Sequence, residues 1–455
     1  MGRFKKIAEF VANLEFDDLP PKVISYAKNC IMDTLCSMIV GFGVDKRTDP
    51  GWRILKFLRT QGGKKESTVI RYGDKLPCSL ATFVNSVMAF GLSDFHNKSS
   101  IHIGGIVIPS ALAISEKEHL SGRELITAVV AGYEVLARVG MALDPRYLYT
   151  RGFYPSSICG AFGAATAVSK ALGLDQFQIY NALALSGIFG GGLLSAIVTN
   201  STSLLIQYGK AAANGVFAAL LAKEGIVGPK EIFEREKGFY DVFSGKPNLS
   251  NLTKNLGKKF EITYTSIKPY SCCKHLCPAV DALLEILQTE SINKEDIENV
   301  LVRMSTAGRT MVDVNKFPRD TLNLSACARY VLAMAIIDRH ISPKQFSVKR
   351  LRDPIISKLA KKVQIVADPE IDRLYPERIA AVVEIKTKGG YVYRKRIDFA
   401  RGDPENPLTD GELKMKFMEF VSPVIGRTKA EKTINLLNNL EKLNDVVELV
   451  ELLAK

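Results

Sequence analysis

The stretch CGAFGAATAVSKALGLDQFQIYNALALSGIFGGGLLSAIV, residues 159–198, decides the fold. Its pattern is helical, and Gly173-Leu174-Asp175 interrupts it as a stop and a restart, so two consecutive helices are expected. Gly160, Gly163, Ala164 and Ala165 add almost no bulk to the first of them, which predicts close helix–helix approach at the centre of a bundle. The three glycines 190–192 follow apolar helical sequence. No strand precedes them and no Gly-Lys-Ser/Thr follows, so they fail as a phosphate loop and read as a break between buried helices.

Working outward, the helical character holds from residue 1 to about 256. LPPKVISYAKNCIMDTLCSMIVGFG, residues 19–43, puts Val23, Tyr26, Ala27, Cys30 and Ile31 on one face, and GKAAANGVFAALLAKEG, residues 209–225, is a further helix rich in small residues. Near Phe260 the pattern changes. FEITYTSI (260–267) alternates like a strand, ENVLVRMST (298–306) is a second, and RIAAVVEIKTKGGYVYRKRIDF (378–399) is a hairpin turning at Lys388-Gly389-Gly390. Helical segments lie between them, at 278–287 and 326–338. After RGDPENPLTD the chain is helical again, with an apolar stripe through NLLNNLEKLNDVVELVELL (435–453). The expected fold class is mainly α: a large all-helical domain from residues 1–258 and 405–455, and a smaller inserted α+β lid domain at 259–404.

Composition narrows the function. Apolar residues make up 47% and charged residues 24%, an ordinary globular balance. The 61 Lys and Arg against 48 Asp and Glu leave a net charge of +13, but they form no block and no Arg-rich, aromatic-interleaved helix face, which argues against nucleic acid as a partner. A small polyanionic substrate is the partner such a field suits. The longest apolar runs, around 181–198 and 212–222, are broken by polar residues and read as buried helices, so no membrane partner is expected. Eight irregularly spaced cysteines and an amphipathic MGRFKKIAEFVANL start without an apolar signal core point to the cytoplasm.

The chemistry concentrates in SDFHNKSSIHIGG, residues 93–105, which holds two of the five histidines and a carboxylate. Asp94 and His102 are acid–base candidates; a turn carboxylate and a satisfied buried imidazole are their plain alternatives. Tyr154, in GFYPSSICG, is a hydrogen-bond donor or packed aromatic, and Ser156 and Ser157 begin a helix whose free N–H groups favour an anion. In IKPYSCCKHLCPAVDA the residues Lys268, Cys273, Lys274 and His275 stand together. Cys272, Cys273, His275 and Cys277 also admit a soft-metal reading, but C-C-x-H-x-C is not a usual zinc spacing, and no metal is expected.

These segments together resemble the MmgE/PrpD family. The resemblance runs nearly the whole length, through residues 19–41, 85–116, 152–187, 208–229, 267–286 and 403–417. It implies a homodimer, a cleft between the two domains and no organic cofactor. It also implies work on small di- or tricarboxylates by loss of water, loss of carbon dioxide or inversion beside a carboxylate. Under it Asp94, His102, Tyr154, Lys268 and His275 are the catalytic candidates, and Gly104, Gly105, Ser156, Ser157, Cys273 and Lys274 the substrate-binding ones. The family's further acidic residues are replaced by His96 and Asn97, the former expected to face solvent. Its histidine before the proline is Tyr154 and its lysine ahead of Gly209 is Leu204; Lys210 reads as a solvated helix residue, while the facing of Arg329 and Tyr330 is not readable. The simplest function is a 2-methylcitrate dehydratase-like lyase. An epimerase or isomerase of a small dicarboxylate, and a non-catalytic dimer, are the alternatives.

Overall fold

The computed structural model describes residues 2–41, 49–199, 201–313, 318 and 324–454. By compactness the chain divides into two units: Met1–Leu194 with Ser203–Thr265 and Thr409–Lys455, and Ser195–Thr202 with Ser266–Leu408.

The first unit is built on helices Pro21–Val40, Cys78–Ala89, Gly104–Lys117, Gly122–Ala142, Pro155–Ala171, Gln176–Ile188 and Ser203–Lys223. Asp175 restarts the chain as expected: its side chain accepts from Gln178 N at 2.8 Å, and the Gln178 amide oxygen accepts from Asp175 N at 3.1 Å. The small residues do what their size permits. A Cβ on Gly215 would lie 2.4 Å from Ala164 Cβ and 2.5 Å from the Ala161 oxygen, so helices 155–171 and 203–223 pack backbone against backbone. Gly163 meets Leu136 and Val107 in the same way. Among the described residues three helices have the length and apolarity of a membrane span; the window in Gly122–Ala142 is 94% buried inside the fold and that in Ser203–Lys223 50%.

One anchor organises the loops behind the 122–142 helix. Arg138 is fully buried, pairs with Glu134 at 2.7 Å, and donates to the main-chain oxygens of Asn251 (3.1 Å), Lys254 (2.8 Å) and Lys259 (3.4 Å). Glu134 also accepts from the Glu261 N–H at 2.6 Å. This capture explains why FEITYTSI is not the expected strand: Glu261–Tyr264 is a 3-10 turn, and only Thr265–Ser266 is extended. The expected stripe at 435–453 is likewise broken. Helix Arg427–Asn438 stops, and Val447–Leu453 resumes after a turn whose Leu443 oxygen accepts from Gly122 N and whose Val446 N–H donates to Leu120 O.

The second unit carries a four-stranded sheet in the order 363–367, 297–304, 381–387, 392–397. The hairpin Ala381–Thr387/Val392–Ile397 is antiparallel, as its Lys-Gly-Gly turn predicts. Strand Val363–Ala367, unread in the sequence, pairs parallel with Ile297–Met304, Val302 opposite Ile365. The buried residues Ile297, Val300, Val302 and Met304 pack in one core with Val280 and Leu283 of helix Cys277–Thr289 and Val331 and Ile336 of helix Ala328–Asp338.

Candidate active site

Within the helical unit, residues 96–101 form a tight reversal: His96 N donates to Ile101 O at 2.9 Å, Ile101 N returns to His96 O, and Ser100 takes a positive φ of 57°. His96 does not face solvent. Its side chain is fully buried; Nδ1 accepts from the Ser99 N–H at 3.3 Å, which places the ring proton on Nε2, 3.4 Å from Glu261 Oε2. The expectation failed because a short loop of mixed polarity gives no facing signal, whereas the captured Glu261 supplies a partner from 165 residues away.

The reversal delivers Asp94 and His102 to one spot. Asp94 is fully buried, and its carboxylate accepts from Gly104 N at 2.8 Å and from the Tyr133 hydroxyl. His102 is partly exposed; its Nδ1 lies 2.7 Å from the Asp94 main-chain oxygen, its N–H donates to Ser156 Oγ at 3.3 Å, and its carbonyl accepts from Tyr208 OH at 2.8 Å. Phe95 meets the imidazole edge-on at 4.8 Å between centroids, with Phe90 at 5.9 Å. Burial first, then the charge of Asp94, pushes Tyr133 well above its usual value. The same order of causes, burial ahead of Asp94, pushes Cys30 up; its thiol touches the Tyr133 hydroxyl.

Gly104 and Gly105 are buried, and what occupies their missing side chains explains them. A Cβ on Gly104 would lie 2.5 Å from both Tyr133 OH and Thr34 Oγ1; one on Gly105 would lie 2.6 Å from Tyr208 OH. Two tyrosine hydroxyls therefore fill the space behind the loop. Tyr208 opens the family-like stretch 208–229 but was given no role there, and Tyr133 carried no motif, although a polar Tyr-Glu pair inside the apolar helix 122–142 was a usable signal.

Tyr154, 2% exposed, caps helix Pro155–Ala171 and donates its N–H to Gly192 O at 3.2 Å. Burial first, then Tyr154, pushes the Tyr208 hydroxyl well above its usual value. The Ser157 hydroxyl is buried in the first turn and has no hydrogen-bond partner among the described residues. The glycine break passes directly over it, a Cβ on Gly192 meeting Ser157 Cβ at 2.4 Å. Gln207, one turn beyond Leu204, holds that break by accepting from Leu193 N at 2.5 Å. Leu204 is half-buried and Lys210 exposed.

The α+β unit places the other candidates. Lys268, 2% exposed, donates from Nζ to Cys272 O at 3.3 Å. Lys274 is buried in an ion pair with Asp403 at 2.5 Å, and Asp403 also accepts from Ser266 Oγ and from Ala400 N. Burial opposes the Lys274 charge, but Asp403 outweighs it and holds the ammonium above its usual value. Burial, aided by that charge, pushes His275 down to about 4. The Cys273 thiol is pushed up to about 11 by burial. Among the described residues Cys272, Cys273, His275 and Cys277 do not converge into a set that would hold a metal. Arg329 is turned to Asp313, at 3.2 Å, and Tyr330 is buried.

The chain is mainly helical; its larger unit carries a braced histidine beside a helix N-terminus, and its second unit is built on a mixed sheet. More narrowly, residues 5–252 match the MmgE/PrpD N-terminal domain and residues 270–442 the MmgE/PrpD C-terminal domain, and the chain belongs to this family. Its curated relatives include cis-aconitate decarboxylase of Aspergillus terreus, 27% identical over 99% of this chain and 96% of that protein. Cis-aconitate decarboxylase of Mus musculus is 27% identical over 99% and 93%. The mitochondrial 2-methylcitrate dehydratase of Yarrowia lipolytica is 22% identical over 85% and 77%. By name these relatives are two decarboxylases and one dehydratase.

Proposed function

We propose that the chain is a cofactor-independent lyase acting on a small tricarboxylate, with His102 Nε2 moving the carbon-bound proton. The observation that carries this reading is the 2.7 Å contact of His102 Nδ1 with the Asp94 carbonyl. A carbonyl oxygen only accepts, so Nδ1 holds the ring proton and Nε2 keeps the lone pair a base needs. Asp94, with both carboxylate oxygens engaged and no exposure, is the anchor of that loop rather than the base. The first turn of helix Pro155–Ala171, with the unpartnered Ser157 hydroxyl, is assigned to a substrate carboxylate. Lys268 keeps its role through the family resemblance.

Two reactions of this kind compete. Full-length similarity to cis-aconitate decarboxylases favours loss of carbon dioxide. Tyr154 favours dehydration of a 2-methylcitrate-like substrate, because a phenol can protonate a departing hydroxyl. Incubation with cis-aconitate, citrate, 2-methylcitrate and iminodisuccinate in deuterated water, followed by NMR beside a His102→Gln control, separates them. Elimination lost in the control supports the lyase; deuterium exchange without elimination replaces it with an epimerase; no change in any substrate removes the reading.

We also propose that the protein works in the cytoplasm as a homodimer. Phe177 and Ile188 on one helix, and Ile206 and Phe217 on the next, expose apolar side chains that a second copy would cover. Light scattering that reports a monomer at micromolar concentration would dispose of the pairing.

A further inference from the structure

We propose that Tyr133 is a positioning residue for proton transfer: its hydroxyl clamps the Asp94 carboxylate so that the Asp94 carbonyl holds His102 in one tautomer. This rests on the lyase reading of the same site. Asp94 is gripped from two sides, by Tyr133 OH on Oδ2 and by Gly104 N, 2.8 Å away, on Oδ1. With its side chain fixed, its carbonyl can serve His102 Nδ1 only from one direction. Gly104 is the matching half of the clamp, since any Cβ there would enter the space of the Tyr133 hydroxyl. The clamp is sealed, for Tyr133 and Asp94 are both fully buried.

The titratable groups facing the pair are Cys30 from helix Pro21–Val40, Tyr133 from Gly122–Ala142, Tyr208 from Ser203–Lys223 and Tyr154 at the cap of Pro155–Ala171. Of these, the structure gives Tyr133 a direct bond to the carboxylate, so it sets how much negative charge His102 meets.

The test is Tyr133→Phe, which keeps the ring and removes the hydroxyl. Imidazole NMR on histidine-labelled protein, assigned with His102→Gln, reads both tautomer and titration. Without its donor the Asp94 charge is less spread, so the His102 pKa should rise by about half a unit or more, with loss of the pure Nδ1–H tautomer. In the active enzyme kcat should fall about tenfold with KM unchanged, and the base limb of its pH profile should move up. An unchanged titration and tautomer in folded Tyr133→Phe overturns the proposal. Should that variant fail to fold, 3-fluorotyrosine at position 133 keeps packing and hydroxyl but donates more strongly. It should move His102 downward, and no movement overturns the proposal equally. The NMR readout needs no substrate, so an inactive wild type would sink the lyase reading while this one stands or falls on the imidazole signal.

Discussion

His102 is oriented by the backbone of Asp94, not by its carboxylate: Nδ1 lies 2.7 Å from the main-chain oxygen. The side chain of Asp94 works one step back, holding that backbone through Gly104 N and Tyr133. His102→Gln should therefore lower kcat by about 10²–10⁴-fold, the range of a lost general base, while leaving the thermal transition almost unchanged. Its ring is partly exposed, and its bonds to Ser156 and Tyr208 use its main-chain atoms. Activity within a fewfold of wild type would remove His102 from the chemistry.

Gly104→Ala tests the packing behind the loop. The new methyl would stand 2.5 Å from Tyr133 OH and Thr34 Oγ1 and 2.9 Å from Asp94 Oδ1, all in the buried interior. Overpacking of this kind costs about 1–3 kcal/mol, so urea denaturation should show the loss together with a drop in kcat. A variant with wild-type stability and a raised KM would instead restore Gly104 to direct substrate contact.

Glu134→Ala should destabilise the chain by about 3–5 kcal/mol, since it leaves the Arg138 guanidinium buried without its carboxylate. Arg138 keeps its three main-chain acceptors, and Glu261 N loses its own. Urea midpoints measure the effect, and the double change Glu134→Gln with Arg138→Met should recover part of it. Equal losses in single and double variants would mean that the pair is not coupled.

How far the sequence speaks depends on where each signal resides. The bundle was legible because it rests on local residues: the small side chains of Gly163 and Ala164, and the Asp175 cap, declare close packing and a helix start without knowing the partner. The strand at 260–267 and the single C-terminal stripe were misread because distant groups overrule local alternation, Glu134 capturing Glu261 N and the 120–122 turn engaging residues 443 and 446. Asp94 and His102 were singled out by motif, but the contacts that hold them were not legible, because Tyr133 reaches Asp94 from 39 residues along the chain and Tyr208 reaches His102 from 106. The role expected of Lys274 meets a partner, Asp403, 129 positions along the chain.

That pair makes a discriminating experiment. Lys274→Met would leave Asp403 buried beside Ser266 without its counter-charge, and a loss of about 3–5 kcal/mol is expected, partly restored by adding Asp403→Asn. KM in any surviving activity should stay near wild type. A stable Lys274→Met enzyme whose KM rises tenfold would mean that the ammonium serves substrate rather than the fold.

The buried His96–Glu261 contact gives the fold a defined acid limit. Burial alone would raise the Glu261 carboxyl, but the His96 ring, helped by the charges of Arg138 and Lys98, outweighs it and holds Glu261 below the usual range. A carboxyl depressed in the folded state stabilises above its unfolded pKa of about 4.3, and that contribution is lost as pH falls through the folded value. Glu261→Gln keeps the shape and the Glu134 bond to its main chain but removes the charge. The variant should be less stable than wild type by about 1 kcal/mol at neutral pH. The gap should close as the buffer is taken down to about pH 3, because wild type then loses what the variant already lacks. Urea midpoints for both proteins across that range measure it. A gap that stays constant, or widens on acidification, would show that Glu261 carries no depressed carboxyl and that His96 is held by Ser99 alone.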